Sequence, residues 1–138
     1  MIAQISTRKQ VINLSLTGLN PYAYPGYVAV FSIGRKNISD RWLHVNGVPS
    51  NLIGFPVTRA SYIRKIAFQA QNEITGTVYI RKKGSDEDLI TLSITDESFS
   101  QRDDLYVPLL ETDLLQAFIE SSSGIDYPVV STEMVWQT

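Results

Sequence analysis

VYIRKKGSDEDLITLSI, residues 78–94, holds the densest charge in the chain: Arg81, Lys82 and Lys83 meet Asp86, Glu87 and Asp88 across Gly84–Ser85. On both sides of the charges apolar residues alternate with polar ones, the period of a half-buried β-strand. Register follows that pattern, because a slip of one residue turns every side chain to the opposite face. A two-residue loop at Gly84–Ser85 would pair Ile80 with Leu89 and Val78 with Thr91, mixing polar and apolar groups inside. An odd loop pairs Ile80 with Ile90, Val78 with Leu92 and Gly76 with Ile94, and leaves Tyr79 opposite Thr91 and Thr77 opposite Ser93 outside. A three-residue loop favours a glycine in last place, whereas Gly84 would come first. The expected loop is therefore Lys83–Glu87, with Lys82 facing Asp88 at the tip. Such an exposed pair contributes about 0–1 kcal/mol. The competing reading of Asp86, Glu87 and Asp88 is a calcium loop, but their spacing matches none and three cations adjoin them. The stretch reads as a solvated hairpin end, and any role beyond solubility as a salt-sensitive contact with a neighbouring subunit through Lys82 and Asp88.

Working outward, the same alternation recurs between Gly, Pro, Asn and Ser punctuation. VINLSL (11–16) places Ile12, Leu14 and Leu16 on one face. YVAVFSI (27–33) is nearly continuous, as a strand buried on both faces would be. RWLHVN (41–46) follows, then the turn NGVPSN (46–51). In YIRKIAFQA (62–70), Ile66, Phe68 and Ala70 are in phase and Ile63 is not, which predicts a bulge near Lys65. LYVPL (105–109) contains Pro108, which confines it to an edge or a strand end. ETDLLQAFIESS (111–122) reads either as a short helix capped by Thr112 or Asp113, or as a strand with Leu115, Ala117 and Ile119 inward. Its strand neighbours favour the strand. PVVSTEMVW (128–136) closes the chain with Val130, Thr132, Met134 and Trp136 in phase. Seven to nine short strands predict one all-β domain, an antiparallel β-sandwich of jelly-roll type with about eight strands. Residues 1–9, with Thr7, Arg8 and Lys9, read as a loose arm that orders on a partner or as a frayed terminus.

The 138 residues suit a single domain. Cysteine is absent, which excludes disulfides, thiolate nucleophiles and Cys-ligated metal. Twelve basic residues against 14 acidic ones (net −2) are too few cations for a protein that grips nucleic acid by its phosphates. No segment is long and apolar enough for a membrane-spanning helix, and MIAQISTRKQ lacks the pattern of a signal peptide. The sole histidine, His44, shares a strand face with Trp42 and reads as a surface or packed residue. Neither a Gly-x-Ser-x-Gly elbow nor a phosphate-binding loop occurs. No catalytic residue, cofactor or metal site is expected. NPYAYPGY (20–27) sets Tyr22, Tyr24 and Tyr27 among Pro21, Pro25 and Gly26. Rings on a proline-stiffened loop suit a protein interface or a sugar ring, and equally a lid over one end of the core.

RWLHVNGVPSNLIGFPVTRASYIRKIAFQAQNEITGTVYIRKKG, ITLSI and the late PVVSTEMVW together resemble small virion proteins of tailed bacteriophages. The positions that carry the resemblance are Gly54, Phe55, Val57 and Arg59; Ile63 and Ile66; Ile80, Arg81, Lys82, Lys83 and Gly84; and Pro128, Val129, Val130 and Trp136. It spans residues 41–136, and it departs where the usual Gly-Asp is Thr112–Asp113. The resemblance implies a non-enzymatic β-sandwich of the virion, a capsid decoration or a tail or fibre component. Such proteins assemble as homo-oligomers, here with a trimer favoured, and bind other virion proteins. Arg8, Lys9, Tyr22, Tyr24, Tyr27, Lys82 and Asp88 are then the candidate interface. Neither nucleic acid nor membrane is an expected partner. The alternative is a module that binds carbohydrate or a host receptor through Tyr22, Tyr24, Tyr27 or Trp42.

Overall fold

The computed structural model describes residues 26–137, all of them strand, turn or loop. They form ten strands: β1 Gly26–Ser32, β2 Arg41–Trp42, β3 His44–Val45, β4 Val48–Pro49, β5 Phe55–Pro56, β6 Ser61–Lys82, β7 Asp88–Arg102, β8 Val107–Leu109, β9 Leu114–Ser121 and β10 Val129–Trp136. The strand VINLSL and the arm at residues 1–9 lie outside the described residues.

Two long strands build the frame. YIRKIAFQA and TVYIRK, separated in the sequence by the polar run QNEITG, are one 22-residue strand, β6. Its first half, Ser61–Gln69, pairs with β10 and its second half, Gly76–Lys82, with β9. Strand β7 follows it through both halves, with register breaks between Gln69 and Gly76. At those breaks the hairpin bends from one layer into the other. One layer holds β7, β6, β9 and the short β2 and β5; the other holds β7, β8, β6, β10, β1, β3 and β4. The result is an antiparallel β-sandwich whose two layers are continuous through the bend. Pro108 lies in β8, which among the described residues pairs only with β6, the edge position that suits a residue without an N–H.

The inner faces follow the alternation. Ile63, Ile66, Phe68, Ile80, Ile90, Leu92 and Ile94 are buried from the long hairpin, and Leu115, Ala117 and Ile119 from β9. Residues 114–121 are thus a strand, and its inward set is the one alternation selects. Ile63 and Ile66 are both inward because Arg64 is an extra residue: Glu133 pairs with Lys65 but Met134 with Ile63. β1 departs from expectation. Ala29 and Phe31 are buried, yet Val28 and Val30 on its other face are 54% and 47% exposed. Its apolar run covers one layer only, since nothing among the described residues packs on its outer side. RWLHVN is also divided. Leu43 is fully buried, and its N–H donates to the Ala117 carbonyl at 2.8 Å, separating β2 from β3. The turn beyond resolves to Asn46–Gly47, with φ of 52° and 85°, and closes β3 on β4 as a two-residue hairpin.

Candidate functional site

Residues Lys83–Glu87 do join β6 to β7, and the pairs Ile80–Ile90, Val78–Leu92 and Gly76–Ile94 form as the apolar pattern requires. The tip itself differs: Arg81, and not Lys82, stands opposite Asp88. Leu89 is an extra residue between the pairs Ile80–Ile90 and Arg81–Asp88, so the partner of Asp88 moves back by one. Arg81 Nε donates to Asp88 Oδ1 at 2.6 Å, and that hydrogen bond holds the guanidinium above its usual pKa range. Lys82 lies opposite Leu115, with its Nζ 3.9 Å from Asp113 Oδ2. Lys83 Nζ donates to the Leu52 carbonyl at 2.7 Å. Lys82 and Lys83 therefore line a groove of about 490 Å³ between Lys82–Ser85 and Thr112–Leu114, at the start of β9, while Arg81 is held by Asp88 on β7. Asp86 and Glu87 stay exposed. Among the described residues no three His, Asp or Glu side chains gather as metal ligands.

Tyr27 turns inward. Its ring stacks on Phe55 (6.3 Å, 20°) and lies 6.0 Å from Trp136. Its hydroxyl is buried with no partner among the described residues. Arg59 lies over the Trp136 ring at 5.1 Å. The stretch Gly54–Arg59 thus packs Phe55 and Arg59 against the Tyr27, Phe31 and Trp136 rings. Gly54 has φ 67°, and a Cβ there would stand 2.8 Å from Leu114 Cβ. Only glycine fits both conditions. Arg8, Lys9, Tyr22 and Tyr24 lie outside the described residues.

Two surfaces remain. The first is the outer side of the layer containing β1. Val28, Val30, Val129 and Phe99 are exposed there, on β1, β10 and β7. The register places Phe99, Gln69, Val129 and Ser32 in one row and Gln101, Ala67, Ser131 and Val30 in the next. An ion pair of Arg64 with Glu133 at 2.9 Å bounds this strip. On the edge of β1 away from β10, only Ser32 has a strand partner among the described residues, namely His44.

The second surface is the outer side of the other layer. Tyr79, Phe118 and Trp42 stand side by side on β6, β9 and β2. The Trp42 and Phe118 rings meet edge to face at 5.2 Å. Tyr79 Oη donates to Glu120 Oε1 at 2.8 Å, and this bond raises the phenol pKa. Beside Trp42 opens a shallow cleft of about 280 Å³, lined by Asp40, Arg41, Trp42, His44, Pro49 and Asn51. Sequence reading picked out Trp42 and His44 as sharing a face, and both line this cleft. The hairpin register turns Tyr79 outward and the alternation that buries Leu115, Ala117 and Ile119 turns Phe118 outward, but that both rings stand beside Trp42 is not written in either strand.

No known protein family matches the sequence, and no curated protein does. Among solved structures the chain is similar to the C-terminal CBM6 of LamC, a marine laminarinase from Zobellia galactanivorans. That likeness covers 78% of this chain and 92% of the other, at 14% identity and a TM-score of 0.39, too distant to support an argument.

Proposed function

We propose that the protein is a non-enzymatic component of a tailed-phage virion, a capsid decoration or a tail or fibre part, acting through protein–protein contact. The observation that carries contact is the exposed apolar strip of Val28, Val30 and Val129 beside the edge of β1, which among the described residues is paired at Ser32 alone. Contiguous exposed apolar surface rimmed by polar groups marks a surface that is covered in use. An open strand edge is completed by another strand or guarded against one. A second copy of the chain is the occupant, because closed symmetric assembly covers such surfaces on every subunit at once. A trimer is the favoured assembly. The virion assignment rests on the resemblance of residues 41–136.

Light scattering on the purified chain, followed by cosedimentation with phage particles that lack it, tests this reading. An oligomer that binds particles is the expected result. A monomer at all concentrations with no affinity for particles overturns it.

A further inference from the structure

We propose that the cleft beside Trp42, where β2 meets the β3–β4 hairpin, binds a single ring of a neutral saccharide, independently of the apolar strip on β1 and β10. Sugar recognition needs an aromatic face for the C–H side of the ring, with hydrogen-bonding groups of both kinds around it. Trp42 supplies the ring, held in place by the edge contact with Phe118 at 5.2 Å. Asp40, Arg41, His44 and Asn51 line the same cleft and supply acceptors and donors. Asp40 is positioned for this: its backbone sits at φ 49°, and its Oδ1 accepts from the Ser121 N–H at 3.2 Å. Asn51 and Arg41 are exposed at the rim, where a ligand reaches them without displacing a packed group.

The lining also selects the ligand class. One guanidinium next to one carboxylate offers an anion no net attraction, so a phosphate or sulfate is not favoured. An apolar side chain of a peptide would make no use of the polar groups of Asp40, Arg41, His44 and Asn51. Neutral hydroxyls satisfy donors and acceptors together. Drug-sized ligands occupy pockets of about 300–1,000 Å³. This open cleft, at about 280 Å³, falls just below that range, which limits its ligand to something small, on the scale of one ring.

The test screens the full-length protein on an array of neutral, uronic-acid and sulfated oligosaccharides, then titrates the best neutral one by calorimetry. A neutral glycan should bind. Trp42→Ala should weaken it by about tenfold, equivalent to ~1.4 kcal/mol. Because Trp42 also packs on Phe118, Asn51→Ala at the exposed rim serves as the second variant. It should weaken binding several-fold with an unchanged unfolding midpoint. Retention of no glycan, retention of acidic glycans only, or neutral binding that survives both substitutions would each overturn the proposal.

Discussion

Ser50 shows how much one small polar side chain decides. It is fully buried, its Oγ accepts from the Ala117 N–H at 3.1 Å, and its own N–H reaches the Leu43 carbonyl at 2.9 Å. It ties the β3–β4 hairpin to β9. Ser50→Ala strands the Ala117 N–H, so urea denaturation should show a loss of about 1–3 kcal/mol. Nothing in NGVPSN marks Ser50 as buried, because its partner lies far away in sequence. Thr112 makes the opposite point. Its φ is 77°, in the left-handed region that a β-branched residue enters only under strain. Glycine enters this region at no steric cost. Thr112→Gly should raise stability by about 1 kcal/mol, read as a higher midpoint in thermal unfolding. A lower midpoint would show that the strain is absent.

At the scale of elements, the β6–β7 hairpin divides into what periodicity reaches and what it does not. The pairs from Gly76–Ile94 to Ile80–Ile90 follow from burial alone. The bulge at Leu89 does not, since it changes neither the inward set nor the loop between the strands. A double-mutant cycle separates the two registers. Arg81 and Asp88 should show measurable coupling that weakens with added salt, and Lys82 and Asp88 nearly none. Equal coupling of both pairs would contradict the observed register. The continuity of β6 through QNEITG was hidden for a similar reason. Gln71 and Asn72 bond to Asp126 and Gly124 across the bend, the Gln71 N–H to the Asp126 carbonyl and the Asn72 side chain to both residues. Polar residues that look like a loop are instead satisfied at a corner.

For the whole molecule, the two layers present different outer surfaces. The layer with β1 offers valines and an edge that, among the described residues, is paired at Ser32 alone; the other offers the aromatic row, with the cleft where β2 meets the β3–β4 hairpin. Val28→Lys with Val30→Lys adds two charges to the strip while leaving Ala29 and Phe31 in the core. Light scattering should then report a folded monomer whose unfolding midpoint no longer depends on protein concentration, since exposed positions on an otherwise intact strand contribute little to folding of the subunit itself. An unchanged oligomer would remove the strip from the interface. YVAVFSI misled on this point, because a strand with one wet apolar face and a strand buried on both faces have the same composition. What the sequence determined by itself was local: the all-β class, most strands, the inward residues of β6, β7, β9 and β10, and the bulge beside Lys65. Period-two burial is written along the chain, one neighbour at a time. Only the tertiary structure decided that one strand serves both layers, that Arg81 takes Asp88, and that Trp42, Phe118 and Tyr79 share a row. Each depends on residues far apart in sequence being brought together, and no local pattern records that pairing.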